Sequence, residues 1–144
     1  MDEQRKTTIL VVDDEKDQRR FLKEFFEYEG YIVYTAENGE EARRMLQEED
    51  PDIVIQDMNL ETTRFENGIK RLEGLEILAE IRKTHPKKKV IMVTAVNDDD
   101  TIEKTQKLGA NEYITKPIDM EYLYEVIRRL EVELKEEDGH EQEG

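Results

Sequence analysis

The sequence contains no cysteine and no long hydrophobic run. Without cysteine, neither a disulfide framework nor a thiolate metal site can form. A membrane-spanning helix needs about 18 or more apolar residues in succession, and the N-terminal stretch MDEQRKTT is polar. The sequence therefore predicts neither a signal peptide nor a membrane anchor, and we expect a cytoplasmic protein that makes no contact with a membrane.

Positive charge is also scarce. Acidic residues outnumber basic ones by 37 to 22, which gives a formal net charge of −15. A chain this acidic repels nucleic acid, so we expect no direct binding to it; cations and basic protein surfaces are the expected partners. The end of the chain is especially acidic, and we interpret 136–144 as a disordered tail. The preceding residues, 7–135, have the length of one domain with a hydrophobic core.

Five short apolar segments alternate with five helical patterns along the chain. The predicted strands are Thr8–Val12, Tyr31–Thr35, Asp52–Asp57, Val90–Val93 and Glu112–Thr115. Strands that alternate with helices predict an α/β fold, in which helices cover both faces of a parallel sheet. At this size the favoured topology is the flavodoxin-like (βα)5 arrangement, with strand order 2-1-3-4-5.

Polar residues follow four of the predicted strands. The first strand ends in Asp13 and Asp14, the third in Asp57 and the fourth in Thr94, while the fifth runs into Lys116. Working sites in such sheets lie beyond the carboxyl ends of the strands, and the first and third strands are neighbours. Taken alone, Asp13 or Asp14 is equally well explained as a helix cap or a turn residue. Three close carboxylates repel one another, however, and a hard cation such as Mg²⁺ resolves that conflict.

Asp57 is the predicted reactive residue of this group. A carboxylate can attack phosphorus to give an aspartyl phosphate. Lys116 and the metal would neutralise charge on the transferring group, and Thr94 would donate a hydrogen bond to it.

These residues resemble the signature of two-component response regulator receiver domains, and the resemblance covers 7–135. The signature comprises Asp13-Asp14, Asp57, Thr94 and Lys116-Pro117. The resemblance implies that Asp57 accepts a phosphoryl group from a phosphohistidine, on a sensor histidine kinase or a histidine phosphotransfer protein.

The resemblance also assigns the metal ligands. It implies that Asp14 binds Mg²⁺ directly, that Asp13 does so mostly through water, and that Asn59 contributes its backbone carbonyl. Lys116 would pair with the phosphoryl group or with Asp57. The resemblance also implies that the Lys116–Pro117 peptide bond is cis, which proline permits.

A switch is implied as well. In receiver domains the residue matching Thr94 moves to bond the phosphoryl group, and an aromatic residue matching Tyr113 then swings inward. The ordinary alternative is that Tyr113 is a half-buried strand aromatic. If the resemblance holds, this pair changes the surface formed by the fourth helix, the fifth strand and the fifth helix, where a downstream protein target binds.

Two other functional classes fit the sequence less well. A phosphohydrolase with an aspartate nucleophile needs a nearby acid or base, but Asn59 is not acidic, and His85 and His140 lie at a helix end and in the tail. A flavin or nucleotide module needs a Gly-, Ser- or Thr-rich loop after the first strand, whereas Asp13–Asp17 repels anions. We expect no enzyme activity beyond self-phosphorylation and self-dephosphorylation at Asp57.

The organisation of the whole protein stays open. Because no DNA-binding domain follows Leu134, only a highly charged stretch, we favour a stand-alone receiver that acts by protein contact. The alternative is a receiver excised from a longer transcription regulator.

The segment Glu61–Glu73 departs from the resemblance. Gly74, which opens the third predicted helix, lies 17 positions after Asp57, about twice the separation usual in receivers. One interpretation is an inert surface insertion, because loop closure depends only weakly on length. The other is that this segment, which leaves the sheet beside the predicted site and carries three basic residues, covers the site, contacts the phosphoryl group or selects the partner.

Val96 suggests the lifetime of the phosphorylated form. It lies two residues after Thr94, where receiver domains vary and the phosphoryl lifetime is tuned. A valine side chain cannot orient an attacking water, so we predict slow self-dephosphorylation.

Overall fold

The computed structural model describes residues 5–58, 60, 64–67 and 69–143. The strands in this part of the chain are β1 (Thr8–Val12), β2 (Ile32–Ala36), β3 (Ile53–Asp57), β4 (Arg64–Glu66), β5 (Ile69–Arg71), β6 (Lys89–Thr94) and β7 (Glu112–Thr115). The helices are α1 (Lys16–Tyr28), α2 (Gly39–Glu49), α3 (Glu73–Thr84), α4 (Asp99–Lys107) and α5 (Met120–Glu143).

Five of these strands form one parallel sheet in the order β2-β1-β3-β6-β7. Since β6 and β7 are the fourth and fifth predicted strands, the predicted 2-1-3-4-5 order is confirmed. Every residue of β1, β3 and β6 is buried, as expected for parallel strands with helices on both faces.

Successive residues of each strand face opposite sides of the sheet, so the core has two halves. On one side, Ile9 and Val11 of β1 pack with Phe26 of α1 and Ile127 of α5. The other side contains Leu10, Val12, Val54, Met92, Ile77 and Leu78, which join β1, β3 and β6 to α3.

The inserted segment contains structure that the sequence interpretation did not include. β4 and β5 pair in antiparallel fashion as a separate two-stranded sheet, with Phe65 opposite Lys70. Asn67, with a φ of 51°, lies in the turn between them, and an Asn-Gly pair such as 67–68 is a strong hairpin signal. The hydrophobic core holds Leu60 before the hairpin and Leu72 after it.

The end of the chain differs from the predicted disordered tail, because α5 continues to Glu143. Lys89 of β6 holds this helix: its Nζ lies 3.5 Å from a carboxylate oxygen of Glu133 and 2.6 Å from one of Glu137. The glutamates and the glutamine of 136–143 are also good helix formers. No helix in the described part of the chain combines the length and the apolar character that crossing a bilayer requires.

Candidate functional site

The polar residues named from the sequence come from neighbouring strands of the sheet. Asp13 follows β1, Asp57 and Thr94 end β3 and β6, and Lys116 follows β7. The parallel register places Asp57 opposite Val93 on β6, one residue before Thr94. These side chains therefore share the carboxyl edge of the sheet.

Three carboxylates meet at this edge. One carboxylate oxygen from each of Asp13, Asp14 and Asp57 lies within 4.8 Å of those of the other two. Asp13 and Asp57 are buried, at 3% and 4% exposure, and Asp14 is half-buried. Hard oxygen donors with excess negative charge are the ligands that Mg²⁺ prefers, so the donor set fits that ion. Asn59, the fourth expected ligand, lies outside the described residues.

Hydrogen bonds fix the loop that carries the first carboxylate. The Glu15 amide donates to Oδ1 of Asp13 at 2.8 Å, and Nη1 of Arg19 donates to the Asp13 carbonyl oxygen at 2.8 Å. Burial raises the pKa of Asp13; the Glu15 amide and Lys116 act in the opposite direction, whereas the charges of Asp14 and Glu15 raise it further. The buried carboxylate therefore needs positive charge beside it. Sequence reasoning missed Arg19, a basic residue in the second turn of the helix that follows the acidic loop.

Lys116 supplies one positive charge. Its Nζ lies 3.5 Å from Oδ2 of Asp13 and 3.6 Å from Oδ2 of Asp57. Burial alone would lower the pKa of Lys116, but the carboxylates of Asp57, Asp13 and Glu15 outweigh it, so the pKa is raised and the ammonium stays charged. The Lys116–Pro117 peptide bond is cis, which confirms that expectation.

Thr94 and Tyr113 both contact Val96. The Val96 amide donates to Oγ1 of Thr94 at 3.0 Å, and the Tyr113 hydroxyl donates to the Val96 carbonyl oxygen at 2.5 Å. Thr94 is fully buried and Tyr113 half-buried. Burial raises the pKa of Tyr113, as does the charge of Asp98, while a hydrogen bond with Thr94 lowers it.

Gly74 and Gln56 hold the end of β3 that carries Asp57, through contacts that the sequence pattern does not predict. A Cβ added to Gly74 would lie 2.3 Å from the Asp57 carbonyl oxygen. The side chain of Gln56 donates from Nε2 to that same oxygen at 2.9 Å. Such contacts arise from how α3 meets β3, which a linear pattern does not reveal.

Comparison with known proteins agrees with this geometry. A family model described as the response regulator receiver domain matches residues 9–128. Sporulation initiation phosphotransferase F of Bacillus subtilis is 32% identical over 121 residues, covering 84% of this chain and 90% of that protein. The transcriptional regulatory protein GlrR of Escherichia coli is 35% identical over 120 residues, or 83% of this chain, but only 25% of its own length is covered.

A solved structure gives the same result. The CheY-like response regulator receiver domain protein from Methanospirillum hungatei is 28% identical, with a TM-score of 0.79 and coverage of 92% of this chain and 99% of that one. The chain belongs to the response regulator receiver domain family. Its class is thus a signalling domain of two-component systems, a family that generally binds Mg²⁺ in an acidic pocket and interacts with histidine kinases and effectors.

Proposed function

We propose that this receiver domain, 7–135, accepts a phosphoryl group on Asp57 from a phosphohistidine, on a sensor histidine kinase or a histidine phosphotransfer protein. The observation that carries the proposal is the buried Asp57 carboxylate, within 4.8 Å of Asp13 and Asp14 and 3.6 Å from the Lys116 ammonium. This arrangement pairs a nucleophile with a divalent-metal site and a fixed cation.

The reaction needs little beyond placement and charge. An Asp57 carboxylate oxygen attacks the phosphorus, the P–N bond to the donor histidine breaks, and its electron pair leaves with the imidazole. Mg²⁺, held by Asp13, Asp14, Asp57 and the Asn59 carbonyl, would offset negative charge on the phosphoryl oxygens. Lys116 places its ammonium beside the same oxygens, and Thr94 donates its hydroxyl once it leaves the Val96 amide.

The contacts at Val96 support the proposed switch. Thr94 and Tyr113 hold the amide and the carbonyl of this one residue. When Thr94 turns to the phosphoryl group, it releases the Val96 amide, and the loop before α4 is freed to rearrange with Tyr113. The surface formed by α4, β7 and α5 then changes for a downstream protein. The receiver is proposed to act in the cytoplasm. We expect it neither to turn over an external substrate nor to bind nucleic acid or a membrane directly.

The relatives differ in how much of their own length this chain covers. The phosphotransferase F relative is covered over 90% of its length, which favours a stand-alone receiver. GlrR is covered over 25% of its length, which fits a receiver that forms part of a longer transcription regulator.

Acetyl phosphate with Mg²⁺ tests the chemistry without a partner protein. We expect the intact chain to gain the mass of one phosphoryl group, and Asp57→Asn to gain none. Asp100→Asn, at an exposed aspartate of α4, is the matched control and should be labelled like the wild type. Labelling of Asp57→Asn at the wild-type rate would refute Asp57 as phosphoacceptor.

A further inference from the structure

Gln56 is a fully buried polar residue one position before the phosphoacceptor. Its exposure is 0%, and it pairs in register with Val12 of β1 and Met92 of β6. Both partners belong to the apolar cluster on the α3 side of the sheet. A leucine or methionine would fill such a position with no polar group to satisfy.

The Gln56 amide is only partly satisfied. Its Nε2 donates to the Asp57 carbonyl oxygen at 2.9 Å, whereas Oε1 has no hydrogen-bond partner within the described part of the chain. The reverse amide orientation would face one carbonyl oxygen with another, so this bond also fixes which end of the amide points to Asp57. An unpaired buried oxygen opposes folding, so the residue is not explained by stability.

What the amide holds is the peptide that carries the reactive carboxylate. In the peptide unit that joins Asp57 to Met58, the Met58 amide donates to the Val93 carbonyl oxygen at 2.9 Å. In the next peptide unit, the Gly74 amide donates to the Met58 carbonyl oxygen at 3.2 Å. The Gln56 bond adds a restraint on the carbonyl of Asp57, which lies close to Gly74 as well. The backbone at Asp57 is therefore held from β6, from α3 and from within β3.

We propose that Gln56 is a positioning residue, which fixes the end of β3 so that Asp57 meets Asp13 and Asp14 in metal-binding geometry before Mg²⁺ arrives. The effect of Gln56 on phosphorylation rests on the proposed function, whereas its effect on Mg²⁺ binding does not. The general basis is that residues which orient a metal ligand, without touching the metal, set much of its affinity.

Gln56→Leu tests the proposal, with Val54→Ala as the matched control on the same strand and the same face. The leucine variant removes the amide at similar volume, so its thermal midpoint without Mg²⁺ should equal or exceed that of the wild type. Its Mg²⁺ affinity, measured by isothermal titration calorimetry, should fall about tenfold, and labelling by acetyl phosphate at limiting Mg²⁺ should slow in proportion. Val54→Ala should show the opposite pattern, with lower stability and unchanged Mg²⁺ affinity.

An unchanged Mg²⁺ affinity in Gln56→Leu would overturn the inference. If stability fell at the same time, the role of Gln56 would be purely structural. If the branched leucine prevents folding, Gln56→Met, which has an unbranched side chain, undergoes the same measurements. Failure of the proposed function is distinct, because wild-type protein would then bind Mg²⁺ without being labelled, and the titration would still decide the role of Gln56.

Discussion

The Cα of Gly74 lies against the Asp57 carbonyl oxygen, so closely that an added Cβ would be 2.3 Å from that oxygen and 2.6 Å from the Cα of Met58. Both contacts are with backbone, which cannot move aside like the end of a side chain. The first turn of α3 therefore sets the position of the strand end that carries Asp57, and a side chain at residue 74 would push that strand end and the helix apart.

Gly74→Ala should damage both stability and function. We expect a loss of about 1–3 kcal/mol in the free energy of unfolding, as for other overpacked sites, and slower labelling by acetyl phosphate. Denaturant unfolding and the labelling rate give the two values. Ala79→Gly, at an exposed position of α3, is the control: it should cost about 1 kcal/mol through helix propensity but leave labelling intact. Normal labelling of Gly74→Ala would show that the close approach is irrelevant to the site.

Lys116→Met should separate metal binding from phosphorylation. The ammonium lies 3.5 Å and 3.6 Å from the carboxylate oxygens of Asp13 and Asp57, so its removal leaves more negative charge for Mg²⁺. We expect tighter Mg²⁺ binding and, because the cation beside the phosphoryl oxygens is lost, labelling slower by about 10²-fold. Calorimetric titration measures the Mg²⁺ affinity, and labelling by acetyl phosphate measures the rate of phosphorylation. Lys83→Met, at an exposed position of α3, should change neither, and weaker Mg²⁺ binding in Lys116→Met would contradict the charge argument.

The fold and the candidate site could be predicted together, for one physical reason. Parallel strands bring their carboxyl ends to one edge, so Asp13, Asp57 and Lys116 meet once the alternation of strands and helices is read. The contacts of Gln56 and Gly74 depend on how closely α3 approaches β3, which has no periodic signal. The sequence interpretation did not include the hairpin, although Asn67, which lies in its turn, is followed by glycine in the sequence.

The ion pair between α2 and α3 should make stability depend on pH. Arg43 donates from Nε and Nη2 to the two carboxylate oxygens of Glu80, each at 2.8 Å. These hydrogen bonds lower the pKa of Glu80, against the opposing effect of burial. A lowered folded-state pKa adds stability above the unfolded value, and that stability is lost as pH falls through the folded value.

Glu80→Gln should therefore be less stable than the wild type at neutral pH, with a difference that shrinks as pH falls below the ordinary glutamate pKa of about 4.3. The effect should be small because Glu80 is half-exposed and screened by solvent. Thermal midpoints across this range measure it, against Glu48→Gln at an exposed position of α2. A difference that stays constant with pH would exclude the ion pair as its source.

Val96→Glu should shorten the lifetime of the phosphorylated form. The hydrogen bonds that Thr94 and Tyr113 make with Val96 involve its backbone amide and carbonyl, so replacing the side chain removes neither bonding group. A glutamate there can orient an attacking water, which valine cannot, and we expect decay faster by severalfold. Loss of label after removal of acetyl phosphate measures the rate. Val96→Ala should decay as slowly as the wild type, and an unchanged rate in Val96→Glu would refute the explanation.

Removal of the hairpin should leave labelling by acetyl phosphate intact but slow phosphoryl transfer from a partner protein. β4 and β5 pair with each other and not with the five-stranded sheet, and Leu60 and Leu72 anchor the flanking chain in the core. Replacement of 62–71 by a short glycine-serine linker should therefore preserve folding and labelling by acetyl phosphate. Transfer from a phosphorylated histidine kinase or phosphotransfer protein that labels the intact chain should slow by severalfold. A full-length variant in which Arg64, Lys70 and Arg71 are changed to serine distinguishes an effect of the positive charges from an effect of the size of the hairpin. An unchanged rate of phosphoryl transfer in the linker variant would mean that the segment is an inert surface insertion.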